Sequence, residues 1–351
     1  MKYGVSAFLV VTSLASSVNW GSVDHGVTRL MVIAPVQTTN PILNTEERLI
    51  AKSRPPICPR GRACFPPPRN PSTEIYIISP CRGSLLSNNS KPILSWSAVP
   101  GATRYSVSVQ LSGQPVWSQI VEERTEIPFP ASVSLELDKD YELIVEAMVG
   151  NERKRGSVTF RLLDSTSAQQ VEKETGAIAA NTHLPAERAI KLAELYKQNE
   201  LFTEAIAVLN SVKNENRTLS IYQMLGDLYL ENARLPSLAE EPYKQAIVLA
   251  KNLNDMNAQA EAQVGLGTVY YYLNNSERAI DYLKAARASY ETIKNPELAA
   301  QLAQFLGQVY EGVSNRDEAI RWYQIAEAEY KALGDTQRLN FVEENLRRLR
   351  Q

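Results

Sequence analysis

The sequence predicts a multidomain chain of α and β parts: a two-sheet β-sandwich followed by an all-α superhelix of repeated hairpins, an α-solenoid. Three observations predict it. Between residues 73 and 163 apolar and polar residues alternate with a period of two. From residue 184 the period becomes helical, and the same small and aromatic residues recur at intervals of 40 and 41. A proline-rich stretch, unable to build either kind of element, stands before both.

The amino terminus is expected to be an export signal over residues 1–17. Lys2 is the only charge before Asp24, and Ala7, Phe8, Leu9, Val10, Val11 and Leu14 form a short apolar core. Ala15 and Ser17 suit the −3 and −1 cleavage positions. The alternative is an uncleaved anchor, but the serines and threonines of this stretch thin the hydrophobicity a spanning helix needs. Residues 18–72 follow as a basic linker. Residues 37–72 hold eight prolines, and Arg48, Lys52, Arg54, Arg60, Arg62 and Arg69 outnumber Glu46 and Glu47. Cys58 and Cys64 bracket Pro-Arg-Gly-Arg-Ala, a spacing that allows a small disulfide loop in an oxidising compartment. Reduced thiols remain the alternative, and a metal site has little support because Cys81 is the one further thiol.

Seven strands are expected in residues 73–163. Ile75–Ile78 and Ile93–Ser97 come first, then Tyr105, Val107, Val109 and Leu111 alternating with polar neighbours. Val116–Val121 and Thr125–Ile127 follow, then Tyr141, Leu143, Val145 and Ala147, and last Val158–Leu162. Leu94-Ser95-Trp96, Val99-Pro100-Gly101 and Tyr105-Ser106-Val107, with Leu135 six residues before Tyr141, resemble an immunoglobulin- or fibronectin type III-like module. The resemblance implies that Trp96 fills the space between the sheets and that Tyr141 pins a loop through its hydroxyl. Asp138-Lys139-Asp140 departs from the Pro-Gly usual before that tyrosine.

A connector helix is expected within residues 164–183, from about 166 to 180, with Thr166 and Gln169 at capping-box spacing and Gly176 weakening it. Four repeat units then occupy 184–335. Leu192-Ala193-x-x-Tyr196, Leu225-Gly226-x-x-Tyr229, Leu266-Gly267-x-x-Tyr270 and Leu306-Gly307-x-x-Tyr310 recur in step with Ala205, Ala239, Ala279 and Ala319. These positions resemble the signature of tetratricopeptide repeats (TPR). That resemblance implies that Ala193, Gly226, Gly267 and Gly307 let paired helices approach, with the second-helix alanines keeping the next contacts thin. Pro242 falls inside an expected second helix and should shift its start or kink it. Residues 336–351 are expected to form a polar capping helix, with Arg347 where the next glycine would stand.

Composition bounds the chemistry. The chain has 351 residues, 44% hydrophobic and 22% charged, with a net charge of −2, so it carries no basic signature for nucleic acid. His25 and His183 are its two histidines and lie far apart. Gly265-x-Gly267 begins like a dinucleotide loop, but Tyr270 takes the third glycine position, and close helix packing explains it better. No catalytic, cofactor-binding or metal-ligating residue is assigned, and the chain is expected not to be an enzyme.

The candidate site is the concave groove that the TPR resemblance implies, on the inner face of the first helices. Matching positions are Glu187, Ile190, Glu194 and Lys197; Gln223, Asp227 and Glu231; Glu261, Val264, Thr268 and Tyr271; Gln301, Gln304, Gln308 and Glu311. Acids dominate this set, which favours a basic partner segment that tolerates an aromatic neighbour. Ile190 and Glu194 replace the Lys and Asn by which one subset of the family clamps a terminal carboxylate, so that partner is not expected. The reading is an exported bacterial scaffold, periplasmic or extracellular, that binds protein or peptide segments, with membrane contact only through an unprocessed signal. An envelope structural or polysaccharide-associated protein binding through the sandwich is the alternative. A peptide of residues 52–71 is expected to bind the groove weakly and in a salt-sensitive way.

Overall fold

The computed structural model describes residues 75–86 and 92–351. The expected signal segment and the whole of the linker, with Cys58 and Cys64, lie outside the described residues. The described part of the β unit holds eight strands: β1 (Ile77–Ser79), β2 (Gly83–Leu85), β3 (Ile93–Trp96), β4 (Arg104–Leu111), β5 (Gln114–Glu122), β6 (Glu126–Pro128), β7 (Asp140–Val149) and β8 (Glu152–Leu162). They form a three-stranded sheet, β1-β3-β6, and a five-stranded sheet, β2-β8-β7-β4-β5. Every second residue of β4 and β7 is turned inward: Tyr105, Val107, Val109, Leu143 and Val145 are buried in one core with Leu94 and Trp96 of the other sheet. The Trp96 and Tyr105 rings lie 5.5 Å apart across that core. Tyr141 is buried, and its hydroxyl accepts a hydrogen bond from the Glu136 amide at 2.8 Å.

Two details differ from expectation. Strand β8 begins at Glu152 rather than near Val158: its charged first half continues the ladder with β7, Glu152 opposite Val149, and Arg153 and Arg155 both pair with Glu146. In the register Glu146 stands opposite Arg155 and Asp140 opposite Arg161, and Arg161 pairs with Asp140 at 3.1 Å. A strand with charges on its exposed face hides its period from a hydrophobicity reading. Strand β2 was not expected. It is three residues long and pairs in parallel with β8.

Ten helices follow among the described residues: α1 (Ser165–Asn181), α2 (Pro185–Gln198), α3 (Phe202–Asn210), α4 (Leu219–Asp227), α5 (Pro236–Asn252), α6 (Met256–Tyr272), α7 (Ser276–Thr292), α8 (Pro296–Gly312), α9 (Arg316–Leu333) and α10 (Thr336–Arg350). Helix α1 is capped by Asp164, whose carboxylate accepts from the amides of Thr166 and Ser167, rather than by the expected Thr166–Gln169 box. It runs through Gly176 without interruption. Helix α5 likewise begins before Pro242, at Pro236, and continues through it. Pro236 at the first helical position loses no intrahelical bond, so the start is set there.

From α6 onward the array has a strict local rhythm. Asp255, Asn275, Asn295, Asn315 and Asp335 recur every twenty residues, and each side chain accepts from the amide three residues on, at 2.9–3.3 Å. Each satisfies one amide that the first turn would otherwise leave unpaired. The residue before each cap turns the chain with a positive φ: Asn254, Asn274, Lys294, Ser314 and Gly334 lie between 55° and 70°. Twenty residues per helix and turn give the forty-residue hairpin. The one spacing of 41 has its own cause. Gly226 and Ala239 are one residue further apart than Gly267 and Ala279. A π-turn over Leu228–Asn232, closed by Ala233 N–H to Leu228 C=O at 2.8 Å, absorbs the extra residue.

The β unit is clasped to the first hairpin. Ser84 N–H donates to the Glu200 carbonyl in the α2–α3 turn, Cys81 N–H to the Thr203 hydroxyl and Leu86 N–H to the Glu204 carboxylate, each at 2.9 Å. Leu86, Val171, Leu195 and Leu201 share one small apolar cluster beneath these bonds. The short edge strand β2 is thereby covered rather than left open to pairing.

Candidate functional site

The site rests on how the hairpins close. Ala193, Ala205, Ala239, Ala279 and Ala319 are all fully buried. A β-carbon placed on Gly226 would meet the Tyr243 ring at 2.6 Å, one on Gly267 the Leu283 side chain at 2.7 Å, and one on Gly307 the Tyr323 ring at 2.8 Å. Real side chains do not approach that closely, so these residues are glycine because a bulky second-helix residue lies across them. Gly265 belongs to the same packing: its β-carbon would sit 2.4 Å from the Tyr243 ring, on the face that the next unit presents. The Gly265-x-Gly267 pair is therefore a helix–helix contact. The repeated tyrosines reach backward between units. Tyr229 accepts from Asn210 at 3.0 Å, Tyr270 donates to Glu240 at 2.8 Å, and Tyr310 accepts from Lys284 at 2.9 Å.

On this frame the predicted groove residues divide into two sets. Glu187, Glu194 and Lys197 lie half-buried along α2, with Glu187 paired to Lys191 at 2.6 Å. Glu231 is exposed on the π-turn, Glu261 is half-buried on α6, and Gln308 is half-buried on α8. Glu261 accepts from Asn257 at 3.0 Å and from Gln223 at 3.3 Å. The second set is turned into the fold. Gln223, Thr268, Tyr271 and Gln304 are buried. Thr268 donates to the Val264 carbonyl at 2.9 Å, and Gln304 accepts from the Tyr330 hydroxyl at 2.9 Å. The Tyr271 ring stands edge-on to Phe305 at 5.7 Å. A groove surface open to a peptide was expected at these positions. Helix α6 is instead packed on nearly all sides, because its alanines and glycines let both neighbouring units close in.

Two of the groove acids are held by tyrosines that sequence reasoning left without a role. Tyr243 donates to Asp227 at 2.8 Å, and Tyr323 donates to Glu311 at 3.2 Å. Both tyrosines stand four residues after a repeat alanine, Ala239 and Ala319, and that spacing is visible in the sequence. Burial and then the Glu311 charge push the Tyr323 hydroxyl far above its ordinary pKa, so it stays a donor. Glu311 is also gripped by Arg348 of α10, with Nη1 at 2.7 Å and Nη2 at 2.9 Å from its two oxygens. A second guanidinium ties units three and four: Arg287 is buried and pairs with Glu329 at 2.6 and 3.0 Å and with Glu291 at 2.8 Å.

Among the described residues no helix is long and apolar enough to cross a membrane. No protein-family model matches the chain, and no curated protein matches it. Solved structures similar to parts of it include BtubC from P. vanneervenii, at 20% identity over 53% of this chain and 89% of that one, with a TM-score of 0.38. The TPR domain of Arabidopsis FLU is similar at 21% identity over 32% of this chain and 95% of that one, with a TM-score of 0.31. A STAND signal-transduction ATPase with a tetratricopeptide repeat sensor from Pyrococcus horikoshii is similar at 23% identity over 52% of this chain and 28% of that one, with a TM-score of 0.42. By its own residues, the carboxy-terminal half is an array of helical hairpins that resembles tetratricopeptide-repeat arrays.

Proposed function

We propose that the chain is a non-enzymatic, exported TPR scaffold with a fibronectin III-like sandwich, and that it holds protein or peptide segments along the inner face of its first helices. One observation carries the reading. On a frame whose small residues do nothing but pack, charged side chains recur at the inner-face positions of α2, the α4 π-turn, α6 and α8: Glu187, Glu194, Glu231, Glu261 and Glu311. A basic, extended segment suits that row.

The test uses the full chain and a panel of basic and acidic peptides, with Glu194→Lys/Glu231→Lys as the variant. Asp227 is left unchanged, because Tyr243 donates to it. Loss of basic-peptide binding with an unchanged melting temperature supports the reading, and unchanged binding refutes it. Export belongs to the same proposal, and the mass of the mature amino terminus in the native host tests it. A second reading, binding through the sandwich, has one feature in its favour. An open depression beside edge strands β5 and β6 is lined by Arg104, Ile120, Arg124, Ile127 and Pro128.

A further inference from the structure

Helix α10 does more than cover the last hairpin. Its Arg347 stands where a next unit would have its glycine, so Arg348 stands where Asp227, Thr268 and Gln308 stand in their own units. Arg348 therefore lies on the inner-face row and is its basic member at the α10 end. Its guanidinium engages both oxygens of Glu311. Around that pair stand the Tyr323 hydroxyl, which also donates to Glu311, and Tyr271, close enough to feel the same charge. Glu344, four residues earlier on α10, faces Arg348 as well.

The two ends of α10 are held differently. Near its start Arg338 is almost fully buried, bonded to Asp335 at 2.6 Å and lying over the Tyr330 ring at 5.9 Å. In its middle Val342 and Leu346 pack on Ala300, Ala303, Tyr323 and Tyr330. At its far end the Arg348–Glu311 pair is open to solvent, with side chains 54% and 30% exposed. Such a pair is weak and salt-sensitive. Leu346 and Leu349 keep this end of the helix packed, so the latch is the Arg348 side chain alone.

We propose that Arg348 is an internal competitor: it occupies the inner-face acid Glu311 until an arginine-bearing partner segment takes its place. This rests on the groove reading above. The bidentate pair supplies the chemistry, since it shows a guanidinium already fitted to that carboxylate, and a partner guanidinium can make the same fork.

The experiment uses the full chain and a fluorescein-labelled dodecapeptide of alternating Gly and Arg, followed by anisotropy at low and high salt. An exposed ion pair holds back a few-fold in equilibrium constant, so Arg348→Ala is expected to tighten binding by about two- to fivefold. Arg347→Ala removes the same charge from an exposed neighbour and measures the general electrostatic background. Adding Glu311→Gln to Arg348→Ala should remove the gain. Far-UV circular dichroism melts confirm that each variant is folded. A gain no larger than that of Arg347→Ala, or one that survives Glu311→Gln, overturns the latch while leaving the groove reading standing. No binding by any variant overturns both.

Discussion

The Tyr243 ring is wedged between two glycines from different units, and that makes Gly265→Ala the sharpest test of the packing. Two effects oppose each other. Alanine is a better helix former than glycine by about 1 kcal/mol in a helix interior. Against that, the new methyl would lie 2.4–2.7 Å from three atoms of the Tyr243 ring. The ring cannot retreat, because Gly226 stands against it at 2.6–2.8 Å on the same measure and its hydroxyl is bonded to Asp227. Overpacking costs about 1–3 kcal/mol, and a site closed on both sides lies in the upper part of that range, about 2–3 kcal/mol, so the expected net loss after the helix gain is about 1–2 kcal/mol. Gly176 and Gly312 have nothing within 4 Å of the same added methyl, and alanine there should be neutral or stabilising. For a unit of this size 1 kcal/mol moves the melting temperature by about 2–4 °C. Thermal and urea melts of the three variants should therefore separate Gly265→Ala from the other two by several degrees. Gly265→Ala combined with Tyr243→Leu should cost less than the sum of the two single changes. If Gly265→Ala melts at or above the parent, the ring is not confined and the account of the glycines is wrong.

Further outcomes follow from the caps, the buried ion pair and the thiol. Asn315→Ala removes the acceptor for the Glu318 amide and should cost about 1 kcal/mol in the same melts. Glu329→Ala leaves the buried Arg287 with only part of its compensation and should cost about 3 kcal/mol, whereas Arg287→Met should cost clearly less. Burial pushes the Cys81 thiol up to about 11 from an ordinary 9.0. The folded state thus favours the protonated thiol, and its contribution is complete below about pH 9 and lost as pH rises through 11. Urea midpoints compared at pH 8 and pH 10.5 should fall more for the parent than for Cys81→Ala, and an equal fall refutes the burial argument.

How much of this molecule is legible in its sequence depends on the range of the physics involved. The alternation around Tyr105–Leu111 and the recurrence of Leu266-Gly267-x-x-Tyr270 forty residues later are local facts, and they identify the strands and hairpins directly. The caps at Asp255, Asn275, Asn295, Asn315 and Asp335 are equally local, because each serves an amide three residues away, and their twenty-residue period could have given the helix boundaries. Strand β2 left no such trace. Its three residues earn a place only by pairing with β8 and meeting the α2–α3 turn, partners far away in the chain.

The groove shows the same division. Repeat register alone placed Glu187, Glu194 and Glu311 on one face, since a helix fixes which side chains share a side. It could not say that Tyr271 and Gln304 would be buried, or that Arg348 would reach Glu311. Those outcomes depend on how closely neighbouring units approach, and that distance is set by which bulky residue lies across which glycine. The sequence determines the faces, because they follow from covalent geometry and short-range bonds. The tertiary structure decides which faces stay open, because burial is a property of pairs of surfaces.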